Sequence, residues 1–475
     1  MHYDMKRKNA IRVLVAMLLL LTMLFTTSCS LDALSALLNP PSEEPDTDES
    51  KPPETPKPSD DDTTAPEGGG DTEDYMTREE VEALISGIKQ NVNVTNNDID
   101  ITSTHEQNLL AASKGLLSAV SITASFEVTY AYGGGLLGRP SYKTETVTSG
   151  GAGVIYQLDK TTGSAYIITN YHVVYNVDSD AEDKISDDIK VYLFGQEYSQ
   201  YYPKLDYSIP ATYVGGSMYY DIAVLRISGS EALKTSSATV AEFTNSDDLA
   251  VLQTVIAIGN PEGEGISATV GAVNVDSENI TMLAVDEETA VTLRVIRIDA
   301  AVNSGNSGGG LFDEKGRVVG IVNAKIQSSE IDNIAYAIPS NIAKNVADNI
   351  IYYDNMNPEN DSAYRVVMGI EVTIADRWSE YDTETGKVHK VERVSVASVN
   401  AGSIAEGKFQ AGDIINSITV KTGETTATTK VTRTFNVFDT MLTARPGSTV
   451  TVNVTRGTET LDIVIDLTGV TPEAW

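Results

Sequence analysis

The sequence predicts a mainly β protein, and three observations carry the prediction. From Ala119 onward, short runs rich in β-branched residues recur at 119–130, 152–158, 165–169, 190–194, 222–227, 254–258, 294–298 and 318–323. Gly and polar turns separate these runs, as expected of strands joined by tight connections. No helical period runs through the same stretch, so an all-β barrel or sandwich is the architecture that buries it. The 475 residues suggest about three domains at ~150 residues each, and a hydrophobic content of 41% is enough for ordinary globular cores.

The elements follow in order. Lys6, Arg7, Lys8 and Arg12 precede an apolar run, Val13 to Phe25, of 13 residues. That is short of the ~20 residues of a membrane span and suits a signal peptide. Thr26-Thr27-Ser28-Cys29 comes next, and Cys29 is the sole cysteine, so no intrachain disulfide can form. The tetrapeptide resembles a bacterial lipobox, which implies a lipoprotein-type signal peptide over 1–28 and a lipidated Cys29 as the new N-terminus. Ordinary secretion after Ser28, with Cys29 a stray thiol, is the alternative.

Residues 29–76 read as the lipidated cysteine followed by a disordered, acidic, Pro-rich stalk. Between Asn39 and Asp74 hardly any apolar side chain appears, so nothing offsets the entropy of ordering the chain. A short helical lead-in is expected over 77–116. Thr77-Arg78-Glu79-Glu80 is a capping-box pattern ahead of Val81, Leu84, Ile85 and Ile88, predicting a helix near 78–89, and a second helix is expected near 105–115. The strand-rich stretch then spans 117–350, with an acidic surface loop expected at 178–188 and a closing helix over Ile342 to Ile351. Residues 352–362 read as a polar linker, and 363–469 are strand-rich again.

The formal net charge is −33. Phosphate backbones need a basic surface, so nucleic acid is excluded as a partner, and acidic substrates are disfavoured.

Chemistry concentrates at Gly305-Asn306-Ser307-Gly308-Gly309. A serine in a glycine-flanked turn becomes a nucleophile only if a base takes its proton. The chain has four histidines: His2, His105, His172 and His389. His2 falls in the targeting segment, His105 in a polar stretch before the first strand, and His389 in a polar part of a later domain. His172 remains, inside Ile168-Thr169-Asn170-Tyr171-His172-Val173-Val174. The group to orient its ring is Asp221, which heads the apolar run Ile222-Ala223-Val224-Leu225. Each residue alone has a structural explanation as a turn serine, a packed histidine or a strand-end aspartate. Their joint order, His172, Asp221, Ser307, is that of chymotrypsin-like enzymes, whereas the nucleophile elbow of α/β-hydrolases runs Ser, acid, His.

With these residues the chain resembles trypsin-type serine proteases of the HtrA (Deg) group. The resembling stretches are Gly151-Ala152-Gly153-Val154, Thr169 to Val174, Asp221 to Leu225, Ala257-Ile258-Gly259-Asn260-Pro261, Asp299 to Gly309, and Ala335 to Asn341. The resemblance implies a chymotrypsin-like double β-barrel over 117–350, with His172 and Asp221 from the first barrel and Ser307 from the second. It implies an oxyanion hole from the backbone N–H groups of Gly305 and Ser307. It also implies a substrate pocket walled by Ala301, Val302, Asn323 and Lys325, suited to small or medium apolar side chains.

Met368-Gly369-Ile370-Glu371-Val372, Ser403-Ile404-Ala405, Ala411 to Ile415 and Val450 to Gly457 resemble a PDZ domain over 363–469. In that fold a peptide C-terminus adds as a strand. Its carboxylate would meet the backbone near Gly369 and Ile370. Val372, Ile404 and Met441 would be apolar walls, a helix near 436–444 the opposite side, and 373–391 a polar insertion beside the groove. The implied function is a serine endopeptidase of unfolded or damaged extracytoplasmic proteins, lipid-anchored to the membrane of a bacterial cell envelope. Its partners are unfolded polypeptides and their C-termini, with a homotrimer expected by analogy alone. The chemistry requires no metal and no cofactor. A peptide-binding chaperone or stress sensor with little turnover is the competing class.

Overall fold

The computed structural model describes residues 104–132, 141–197, 206–263, 265–325 and 334–475. The signal peptide, Cys29, the stalk and the expected helix near 78–89 lie outside the described residues.

The helix expected near 105–115 runs Thr104–Ser118 (α1). Six strands follow, with a one-turn helix, α2, at Tyr171–Val174. They are β1 (Ala119–Tyr132), β2 (Ser141–Asp159), β3 (Ser164–Thr169), β4 (Asp188–Leu193), β5 (Ile209–Ser217) and β6 (Ile222–Ile227). They close into an antiparallel barrel in the order β1-β2-β3-β6-β5-β4. The period of two is plain in β1, where Val120, Ile122, Ala124, Phe126 and Val128 all point into the barrel core. The acidic segment 178–188 lies in the turn region before β4.

A short helix, α3 (Glu231–Thr235), leads to a second set of strands. These are β7 (Thr254–Gly259), β8 (Ser267–Leu283), β9 (Ala290–Ile298), β10 (Gly310–Phe312), β11 (Val318–Asn323) and β12 (Ala335–Pro339). They form a second closed barrel in the order β10-β11-β12-β9-β8-β7. Val255, Val273, Ile296, Ile298, Leu311 and Val319 fill it.

The two barrels share an apolar face. Val154, Ile168 and Val224 of the first join Ile256, Ile258, Phe312 and Ile321 of the second in one buried cluster. Helix α4 (Ser340–Met356) covers that cluster with Ile342, Val346 and Ile350. It outruns the expected 342–351 because Tyr353 also finds packing, against Tyr364 at 4.6 Å between ring centroids.

The C-terminal part holds β13 (Tyr364–Arg365), β14 (Ile370–Tyr381), β15 (Val388–Val399), β16 (Ile414–Thr422), β17 (Thr425–Lys430), helix α5 (Thr434–Met441), β18 (Thr449–Arg456), β19 (Glu459–Asp466) and β20 (Glu473–Ala474). One sheet runs β14-β15-β16-β18-β19 with β17 added beside β16, while β13 pairs separately with β20. Val437 and Met441 of α5 pack with Val394, Val396, Ile418, Val450 and Val452. The polar stretch 373–391, expected as an insertion, is the outer part of a β14/β15 hairpin closed at Tyr381 and Val388. Most of its residues are exposed, so it lacks the in/out alternation that marks a strand in sequence. The exposed half of β2, over 141–149, escapes the pattern for the same reason.

Candidate active site

Ser307 sits on two consecutive turns. Asn306 N–H donates to Asn303 O at 3.1 Å, and Gly309 N–H to Asn306 O at 3.0 Å. Gly305 (φ 93°) and Gly308 (φ 84°) hold the third place of each turn, where a type II turn demands a positive φ. Gly308 is also hemmed in, since a Cβ there would lie 2.2 Å from both Ala152 O and Thr169 Oγ1. Ser307 O accepts from Ala152 N–H at 2.8 Å, which stitches the serine turn to β2 of the other barrel. Ser307 is 5% exposed.

His172 lies in α2, directly after β3. Its ring Nδ1 is 2.7 Å from Asp221 Oδ2, and its backbone N–H donates to Asp221 Oδ1 at 3.0 Å. An ionised carboxylate only accepts, so Nδ1 carries the proton and Nε2 is left as the acceptor. Asp221 stands between β5 and β6 with φ 51°, a left-handed conformation that aspartate tolerates better than most residues. Asn170 Nδ2 donates to Asp221 O at 2.8 Å and holds the strained peptide. A further donor, Asn323 Nδ2, reaches Asp221 Oδ2 at 2.7 Å.

Ser307 Oγ accepts from Ala324 N–H at 3.1 Å, and no hydrogen bond joins it to His172 among the described residues. The candidate nucleophile therefore rests against the end of β11. Ala301 is exposed, Val302 half-buried and Lys325 exposed. Asn323, expected in the pocket wall, is instead 1% exposed with its amide spent on Asp221 and on Lys325 N–H. One signal was available in the sequence: a polar residue closes the wholly apolar run Val318 to Val322. His105 is exposed on α1 and His389 lies partly buried on β15. Among the described residues no cluster of His, Cys, Asp and Glu could hold a metal.

Of the expected peptide-binding residues, Gly369 has φ 82°, and a Cβ on it would lie 2.1 Å from Ser403 Cβ. Gly369, Ile370 and Val372 line a cavity of about 640 Å³ together with Met368, Phe438 and Met441. Ile404 packs against the core of the C-terminal sheet and does not line the cavity.

Arg294 and Asp439, which also line this cavity, belong to a charge cluster. The buried Arg294 guanidinium contacts both Asp439 and Asp247, the latter at 2.6 Å. Burial pushes the Asp439 carboxyl up to about 6, with the negative Asp247 adding to the rise and Arg294 opposing it.

Comparison with known proteins sets this geometry in context. Residues 151–321, which include His172, Asp221 and Ser307, match the Trypsin-like peptidase domain. The chain is 38% identical to Serine protease Do-like HtrA of Bacillus subtilis (strain 168) over 210 residues, 44% of this chain and 40% of that one. It is 31% identical to Serine protease Do-like HtrA of Lactococcus lactis subsp. cremoris (strain MG1363) over 335 residues, 67% of this chain and 73% of that one. A Brucella suis biovar 1 protein, Probable periplasmic serine endoprotease DegP-like, is 30% identical over 289 residues, 61% of this chain and 48% of that one. The chain thus spans less than half the length of the Bacillus and Brucella relatives and about three quarters of the Lactococcus one.

Proposed function

Because the chain belongs to the HtrA family of serine proteases, we propose that it is an endopeptidase that cuts unfolded polypeptides through His172, Asp221 and Ser307. The observation that carries the reading is the hydrogen-bonded series Asn323–Asp221–His172, together with a Ser307 flanked by the positive-φ glycines Gly305 and Gly308 and tied by its carbonyl to Ala152 of the first barrel.

In this reading Ser307 Oγ turns away from Ala324 N–H and attacks the scissile carbonyl carbon. His172 Nε2 takes the hydroxyl proton and later gives it to the leaving amine. Asp221 keeps the proton on Nδ1 and stabilises the imidazolium. The N–H groups of Gly305 and Ser307 receive the oxyanion, each worth roughly 3 kcal/mol in the transition state. Ala301 and Val302 would border the pocket, and no carboxylate is among the described residues read as its wall, so small or medium apolar residues would be preferred before the cut. The resting contact between Ser307 Oγ and Ala324 favours a low basal rate, which is the feature shared with the reading of a binding chaperone or sensor.

The C-terminal module is read as a PDZ domain. Gly369 and Ile370 would receive a carboxylate, and Val372 the terminal apolar side chain. The periplasmic Brucella relative supports an extracytoplasmic site of action. The basic and apolar leader ending at Cys29 supports a lipid anchor, and the family analogy a homotrimer. The test is digestion of unfolded casein by the full chain. Ser307→Ala and His172→Ala are each expected to lower the rate by roughly 10⁴-fold with the fold intact. An unchanged rate in Ser307→Ala contradicts the reading.

A further inference from the structure

The turn that carries Asp221 is braced from an unexpected direction. Trp475 lies against Tyr219 and Tyr220, the two residues immediately before Asp221, with ring centroids 4.0 and 5.7 Å apart. Tyr219 and Tyr220 themselves meet edge to face at 5.0 Å. The Arg365 guanidinium also lies over the indole ring. The Arg365 Nε is buried without a hydrogen-bond partner, and the cation lies against the ring face.

The backbone repeats the connection. Trp475 N–H donates to Ala363 O at 2.7 Å, and Ala363 N–H donates in turn to Gly216 O at 3.2 Å. Gly216 N–H closes the link to Asp361 O at 2.9 Å, and Gly216 lies at the end of β5, one residue before the turn. Glu473 and Ala474 are fixed by pairing with Arg365 and Tyr364. The tail 473–475 therefore grips the Ser217–Asp221 turn by two aromatic contacts and by a backbone relay.

That turn is under load. Asp221 keeps a positive φ, a conformation that persists only where its surroundings over-determine it. Trp475 also lines the cavity beside Met368 and Gly369. One indole thus touches both the support of the candidate catalytic carboxylate and the wall of the candidate peptide groove.

We propose that Trp475 is a positioning residue for Asp221, acting through Tyr219 and Tyr220. The inference rests on the reading of Asp221 as the orienting carboxylate. An aromatic ring is what the position requires, because the stack and the guanidinium contact both need a π face. The consequence falls on the chemical step. A carboxylate displaced by a fraction of an ångström orients the imidazole poorly, while the substrate still binds.

The experiment uses the full chain and has two arms. In the first, Trp475→Ala and Trp475→Phe are compared with wild type on a short chromogenic peptide and on labelling of Ser307 by a serine-directed phosphonate. The expected result for Trp475→Ala is a kcat about 10-fold lower with KM within about twofold, a parallel slowing of labelling, and recovery of most of the rate in Trp475→Phe. Tyr219→Ala breaks the same stack from the other side. The double variant Trp475→Ala/Tyr219→Ala is expected to be no slower than either single one. In the second arm, hydrogen exchange of the segment 216–225 is expected to quicken in Trp475→Ala and to stay near wild type in Trp475→Phe.

A wild-type kcat in Trp475→Ala, or exchange in 216–225 that does not respond, overturns the proposal. So does a loss that Phe fails to restore. If Ser307→Ala equals wild type while exchange responds as stated, the triad reading fails and with it the catalytic role of Trp475, and only its bracing of the Ser217–Asp221 turn stands.

Discussion

Asn323 Nδ2 lies 2.7 Å from Asp221 Oδ2, the same oxygen that meets His172 Nδ1 at 2.7 Å. The carboxylate is thereby pinned between the two barrels, since Asn323 ends β11 of the second and Asp221 precedes β6 of the first. Asn323→Ala frees one side of the carboxylate and is expected to lower kcat roughly 10- to 100-fold with little change in KM. Asn323→Asp sets a like charge beside Asp221 and should be slower still. Steady-state kinetics on a short peptide decide the matter, and a wild-type kcat in Asn323→Ala denies the residue this role.

The serine turn depends on glycine in a way that open turns do not. Gly308→Ala combines a left-handed φ of 84° with a Cβ placed 2.2 Å from Ala152 O. Backbone on the first barrel cannot yield cheaply, so a loss of roughly 3 kcal/mol or more is expected. Gly229→Ala has a similar φ of 67° but meets nothing within 4 Å. It should cost only about 1 kcal/mol. Thermal unfolding of the two variants gives the comparison, and equal shifts would show that close packing at Gly308 contributes nothing.

Asp439 supplies a pH dependence with a definite sign. Its carboxyl is raised to about 6 in the folded protein, chiefly by burial, so folding takes up a proton there. The resulting stability is fully present below the unfolded value near ~3.9 and is lost as pH rises through about 6. Asp439→Asn stays neutral at every pH. The melting temperature of wild type minus that of Asp439→Asn should therefore fall between about pH 4 and about pH 6.5, by an amount corresponding to roughly 2 kcal/mol. A difference that is flat or rises over that interval contradicts the assignment. The titratable groups facing Asp439 include Arg294, Tyr220 and, beyond Arg294, Asp247, and Asn at this position keeps the Arg294–Asp247 pair intact.

The groove can be tested without disturbing the module that forms it. Phe438 lines the cavity yet is 56% exposed. Phe438→Glu should weaken binding of a peptide with an apolar C-terminus about 10-fold or more, by removing an aromatic contact and adding a repelling charge. Fluorescence polarisation of a labelled peptide measures it. An unaltered affinity places the ligand elsewhere.

Much of this was legible in the sequence, for identifiable reasons. Runs such as Ile222 to Leu225 and Val318 to Val322 are buried throughout, and their β-branched content announces strands. The order of His172, Asp221 and Ser307 along the chain separates two enzyme architectures by itself. The ribbons at 141–149 and 373–391 were illegible because both faces are wet and nothing selects an alternating pattern. The roles of Asn323 and Trp475 were illegible for another reason. Each acts on Asp221 across a long stretch of chain, through a contact that only folding creates.

The most direct test of the central claim is covalent. The full chain is treated with a serine-directed fluorophosphonate, digested, and its peptides mapped by mass spectrometry. The account predicts a single adduct, on the peptide containing Ser307, that forms in wild type and is slowed at least about 10³-fold in His172→Ala and strongly in Asp221→Asn. Labelling of another serine, or of Ser307 at the same rate without His172, would contradict it.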